Sequence, residues 1–431
     1  MDGVPIAVKS EISVTGYYTT AGLDHKKVSE QPLFVRTIEE TESEVIRRLK
    51  AKGAIVLGLT NQHIFGLGAT GENPHFPNVT NLFSPSHVPG GSSSGSALMV
   101  GLGLSPLTVG TDGGGSVSIP ASVNGLPGLK PTYNKLSTVN YDNAAPGLVA
   151  IGLIGQRFKD IALGYQVSSG RYLTQAVDKA LNDLKIGIDP DWLEHADKEV
   201  SEKTMECLDR LGTRLKKRQS RNDSIFVRMQ FMPENTGEKN WRKQLWATHM
   251  ILFGHGEAKG KFKFVGKGIP YETEMALLMG KALSEDQVNR ARQNQKLLTE
   301  HFENNIFSRV DVIVMPTTLT TAPKKVSTWF TNTSGELNLS NAYLLAFNTS
   351  LANLTGGPRV TIPCGFDHEN LPFGLQVIGS DHSEYLLLAL GGELEQEMGA
   401  ELKEKADINT FVKRFKPGET RSASVDAHSE L

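Results

Sequence analysis

Two runs, Pro89-Gly90-Gly91-Ser92-Ser93-Ser94-Gly95-Ser96-Ala97 and Gly110-Thr111-Asp112-Gly113-Gly114-Gly115-Ser116-Val117-Ser118-Ile119-Pro120, decide how this chain is read. Glycine lets a backbone approach a ligand closely and turn with positive φ. Three glycines followed by a serine can aim successive N–H groups at one point beside a hydroxyl. Acyl-transfer chemistry needs that pairing: a nucleophile, and donors where negative charge develops. Leu107–Gly110 reads as a strand feeding the second run. Ser94–Leu104, small and apolar, reads as a buried helix opening at the first, its N-terminus favouring negative charge beside Ser92 and Ser93. Active sites of open α/β sheets lie at such strand ends.

Working outward, Val4–Val8 and Ile12–Val14 read as a strand pair closed by Gly16. Thr41–Lys50 reads as a helix with Val45, Ile46 and Leu49 on one face, ended by Gly53. Ala54–Leu59 follows as a short buried strand. Helix then parallel strand is the α/β rhythm. Residues 140–150 read as a loop, Asp183–Ile188 as a strand and Lys198–Arg214 as an amphipathic helix. Val288–Phe307 reads as a long helix before the apolar strand 310–315. The expected organisation is one domain over 1–415, with a peripheral or cap-like part at about 165–290 and a disordered polar tail at 416–431.

Composition narrows the function. The chain has 431 residues, 45 basic and 47 acidic, for a net charge of −2. That balance argues against a nucleic-acid surface as its main business. The basic run Arg214–Arg221 reads as a solvated helix end. Two cysteines, Cys207 and Cys364, cannot form a disulfide framework and suit a reducing compartment. No apolar run is long enough to span a bilayer, and Met1-Asp2-Gly3 opens no signal peptide. The closing His428-Ser429-Glu430-Leu431 departs from an endoplasmic-reticulum retention signal by one residue and is read as coincidence. No His/Cys cluster has metal-ligand spacing, with His249 and His255 on a helix and a loop, and GxxxxGK[ST] is absent. The expectation is therefore no metal and no cofactor.

Further pieces complete a known pattern: Val4-Pro5-Ile6-Ala7-Val8-Lys9, Lys52–Asn61, Gly128-Leu129-Lys130-Pro131-Thr132, Val310–Thr318, Gly357–Gly365 and Leu371–Gly379. In this order, over nearly the whole chain, they resemble the amidase signature family, most closely its plant-type fatty acid amide hydrolase branch. The resemblance implies an α/β/α sandwich with a large mixed, mostly parallel central sheet covered by helices. It implies a Ser-Ser-Lys triad: Ser116 as nucleophile, Ser92 as a relay with a cis peptide, and Lys9 as base. A lysine accepts a proton only when neutral, and an apolar strand such as Val4, Ile6 and Val8 can depress its pKa. Gly113, Gly114 and Gly115, with Ser116, would donate to the oxyanion. Ser93 and Asp112 would support, and Phe65, Gly66 and Leu67 would line the acyl passage, although apolar residues there suit a core equally.

Three departures accompany the match. The family's arginine two residues after the nucleophile is Ser118 here, and the acidic residue that commonly follows the lysine is Ser10. Family members also carry a helical stretch of some tens of residues before the lysine strand, whereas Lys9 comes almost at once. The implied function is hydrolysis of fatty acid amides such as N-acylethanolamines, in the cytoplasm or peripheral to an endomembrane. The expected partner is a small-molecule or lipid amide and no nucleic acid; peripheral membrane contact and a homodimer stay open. Alternatives are a small-amide amidase, the A-type subunit of a tRNA-dependent amidotransferase, or a catalytically weakened relative acting as a binding protein. A G-x-S-x-G nucleophile elbow at Gly91–Gly95 is disfavoured, because Ser84–Pro89 is no strand.

Overall fold

The computed structural model describes residues 1–24, 41–76, 79–138, 145–171, 181–219, 224–233, 240–266, 269–325 and 339–405. The expected tail at 416–431 and residues 140–144 of the expected loop at 140–150 lie outside them. In chain order, β1 (Pro5–Lys9) and α1 (Glu44–Ala51) lead to β2 (Ile55–Thr60). Helix α2 (Ser94–Gly101) opens on the first serine run. Strand β3 (Leu107–Asp112) feeds the second, which runs into α3 (Ser118–Val123). Then come β4 (Gly128–Lys130), β5 (Ala150–Gly155), α4 (Phe158–Ser169), β6 (Ile186–Ile188) and the short α5 (Pro190–Leu193). Helix α6 (Lys198–Gln219), β7 (Phe226–Arg228), α7 (Trp241–Lys261), α8 (Tyr271–Ala282) and α9 (Glu285–His301) precede β8 (Val312–Pro316). The chain continues through α10 (Leu339–Ala346), α11 (Ser350–Thr355), β9 (Arg359–Phe366), β10 (Pro372–Gly379) and α12 (Glu384–Lys405).

One ten-stranded sheet runs in the order β2-β1-β3-β5-β4-β9-β10-β8-β6-β7. It is mixed, as expected, but not mostly parallel: four pairings are parallel and five, at the centre, antiparallel. The connection between β9 and β10 shows why. Asp367 and Leu371 close a turn too short for the crossover that parallel neighbours need. Helices α4, α6 and α12 pack together against the sheet, while α2 and α3 form a separate group on β3, β9 and β10. This is an α/β fold.

Three expectations change. Ile12–Val14 is not a strand: the Ile12 N–H turns back to the Lys9 carbonyl, and its side chain fills the core from a turn. Strand β2 is a sheet edge rather than buried, with Ile55 and Leu57 each about half exposed. The region 165–290 is only partly peripheral. Its strands β6 and β7 extend the sheet beyond β8, and its helix α7 reaches the second glycine run.

Candidate active site

Strand β1 lies parallel to β3 with Ile6 beside Leu107 and Val8 beside Val109, so Lys9 and Thr111 emerge at the same edge of the sheet. Lys9 is wholly buried. Its Nζ donates to Ser92 Oγ at 2.7 Å and Thr111 Oγ1 at 2.7 Å, and lies 2.8 Å from Glu11 Oε1. Those three acceptors match the three protons of an ammonium. Burial is the strongest influence on Lys9 and lowers it from its ordinary value, while Glu11 pulls the other way. Burial also acts to raise Glu11, but Lys9 and Lys261 outweigh it and hold that carboxyl at about 2. Ser10, one residue short of the acid, instead accepts the Gly22 N–H at 3.1 Å.

Ser92 follows a cis Gly91–Ser92 peptide and is fully buried. Its run is fitted by backbone contact. A Cβ on Gly91 would lie 2.6 Å from the Gly71 nitrogen, and one on Gly95 would lie 2.6 Å from the Asn61 nitrogen. The Ser93 N–H donates to the Ser116 carbonyl at 3.1 Å, tying the two runs together. Ser116 itself is only half-buried, whereas Ser92 and Lys9 are fully buried.

The second run is wrapped around Asp112. Its carboxylate accepts the N–H groups of Gly115 at 2.8 Å, Val117 at 2.9 Å and Ser118 at 3.2 Å. Burial alone would raise this acid. Arg359, at the start of β9 with Nη2 2.8 Å away, and the Val117 N–H outweigh that and hold it well below the usual carboxylate range. The Gly115 amide is thus committed to Asp112, which takes it out of the expected oxyanion set. Among the described residues no acceptor takes the N–H groups of Gly113, Gly114 or Ser116. The Gly113 and Gly114 carbonyls are held from behind: His249 Nε2 donates to the first at 2.8 Å, and Thr349 Oγ1 to the second at 2.6 Å. Burial lowers His249, keeping the ring neutral with its proton on Nε2. Gly115 has φ +123°, and a Cβ there would sit 2.3 Å from Thr349 Oγ1.

Of the expected acyl-passage residues, Gly66 comes to the site: a Cβ there would lie 3.5 Å from both Ser92 Oγ and Glu11 Oε2. Phe65 goes instead into an apolar cluster with Leu23, Ile64, Ile269 and Leu277, and Leu67 packs at its margin. Glu11, Thr111, His249, Thr349, Asn353 and Arg359 join the site without having been singled out by sequence. Glu11 sits in the turn two residues past Lys9, and Thr111 directly precedes Asp112 in β3. His249, Thr349, Asn353 and Arg359 arrive from distant elements and carry no local signal.

The family model described as Amidase matches residues 1–388. The chain belongs to the amidase family. Among family relatives, a fatty acid amide hydrolase of Arabidopsis thaliana is 30% identical over 92% of this chain and 65% of its own length. The A subunit of a glutamyl-tRNA(Gln) amidotransferase from Prochlorococcus marinus is 32% identical over 88% of this chain and 80% of its own. A crystal structure of an amidase superposes with a TM-score of 0.74 at 26% identity, covering 92% of this chain and 85% of that one. The chain thus spans just under two thirds of the plant hydrolases' length. Among the described residues, no helix is long and apolar enough to cross a membrane.

Proposed function

We propose that this chain is a serine amidase that hydrolyses fatty acid amides through Lys9, Ser92 and Ser116. The observation that carries the proposal is the buried 2.7 Å contact from Lys9 Nζ to Ser92 Oγ, together with a half-buried Ser116 in a braced glycine turn. In the reactive form Lys9 is neutral and its lone pair faces Ser92. Lys9 takes the Ser92 proton as Ser92 takes that of Ser116, and Ser116 Oγ attacks the amide carbonyl. The oxyanion is met by the N–H groups of Gly113, Gly114 and Ser116; one such donor is worth about 10²–10³ in rate. Ser92 then returns a proton to the leaving amine as the C–N bond breaks. Water attacks the acyl-Ser116 ester by the same route, releasing the acid.

The choice of fatty amides rests on the plant relatives. A second reading, the glutamine-using part of an amidotransferase, is favoured by the likeness to that family's A subunits and by the charges beside Lys9, where Lys261 pairs with Glu257. Amine release should be measured from N-acylethanolamines of short to long acyl chain and from glutamine, with wild type and Ser116→Ala. The expected result is a preference for long chains, abolished in the variant. The rate should rise with pH as Lys9 loses its proton, with a midpoint below the ordinary 10.5. Turnover of glutamine alone would overturn the substrate class and favour the second reading.

A further inference from the structure

The geometry points to Arg359 as the positioning residue of the nucleophile turn, an inference that rests on Ser116 being the nucleophile. The turn from Asp112 to Ser118 begins and ends on one guanidinium. Arg359 Nη2 donates to Asp112 Oδ1 at 2.8 Å, and Nε to Ser118 Oγ at 2.8 Å. Nη1 donates to the Thr349 carbonyl, whose own hydroxyl holds Gly114. Nη2 also reaches Asn353 Oδ1 at 3.3 Å, and the Asn353 amide donates to Asp112. Arg359, Asp112 and Ser118 are all fully buried. A planar fork in a dry site fixes its partners' angles as well as their distances.

Ser118 stands where the resemblance calls for an arginine, and here a guanidinium reaches that place from β9, 241 residues along the chain. Without it, Asp112 would be a buried charge lacking its cation, and the frame that sets Ser116 and the free amides would loosen. Arg359 touches no reacting atom, so its loss should appear in the rate of Ser116 reaction rather than in binding.

The test is labelling of Ser116 by an organofluorophosphonate, which forms an Oγ–P bond and expels fluoride without depending on any amide. Arg359→Ala should slow the maximal labelling rate by about 10²–10³ with half-saturation unchanged, the scale of losing aligned oxyanion donors. Ser118→Ala, which removes the Nε acceptor and the long 3.4 Å hydroxyl contact to Asp112 Oδ2, should fold normally and slow it by about tenfold, as expected for one charge-assisted hydrogen bond. The exchanged pair Ser118→Arg/Arg359→Ala returns a guanidinium to Asp112 from the other side and should recover most of the rate. Wild-type labelling rates in Ser118→Ala and Arg359→Ala would overturn the inference. So would an exchanged pair as stable as wild type yet as slow as Arg359→Ala. A wild type that labels but hydrolyses none of the amides fails the substrate proposal alone, because the rates still compare. A wild type that does not label fails the Ser116 assignment, and this inference falls with it.

Discussion

The two glycine-rich runs meet at one site but are held by different physics. The first, around Ser92, is held by shape: Gly91 and Gly95 press against the backbones of Gly71 and Asn61, and the described residues place no charge on the run except Lys9 at its serine. The second, around Ser116, is held by a charge, with the Asp112 carboxylate gathering three N–H groups and Arg359 neutralising it in a fully buried pair. Close packing fixes a buried relay that must not move. A hydrogen-bonded hub fixes a half-buried loop that must keep several amides free and aligned.

The comparison breaks or sharpens by mutation. The largest expected effect is at the hub. Asp112→Ala leaves the Arg359 guanidinium buried without its counter-charge and should destabilise the fold by about 3–5 kcal/mol, read by denaturant unfolding. Its activity should fall even at temperatures where it stays folded. A loss below about 1 kcal/mol, on the scale of typical surface changes, would show that charge does not hold the second run.

A smaller effect is expected in the first run. Gly95→Ala puts a methyl 2.6 Å from both the nitrogen and the oxygen of Asn61. Backbone cannot swing aside as a side chain can, so overpacking should cost about 1–3 kcal/mol in the same unfolding assay. Because this run is held by shape, added salt should not change that cost. A cost that tracks salt would mean the two runs share an electrostatic frame after all.

The parts of the site legible in sequence are those built locally. The glycines and serines of both runs, Lys9 at the end of an apolar strand and Asp112 before three glycines announce themselves by composition and spacing. The strand read at 310–315, observed as Val312–Pro316, was legible because a wholly buried strand is a continuous apolar run, whereas Leu107–Gly110, which carries Thr108, was legible from the glycine-rich turn it feeds. Ile12–Val14 read as strand because apolar residues inside a turn look the same as those in a strand until their hydrogen bonds are known. Ile55 and Leu57 read as buried because a sheet edge has no signature in its own residues. Arg359 was invisible as a site residue for a deeper reason: its partners, Asp112 and Ser118, lie more than two hundred residues away. Gly115 was assigned to the oxyanion because its amide looks free until Asp112 is seen to bind it.

The most direct test of the account is to trap the acyl-enzyme. Wild-type protein would be mixed with a long-chain acyl p-nitroanilide, quenched during the burst of nitroaniline release, digested and mapped by mass spectrometry. The account predicts one acyl group, carried on the peptide at Ser116, and no burst from Ser116→Ala or Lys9→Ala. An acyl group found on Ser92 or Ser94, or turnover that survives in Ser116→Ala, would contradict it.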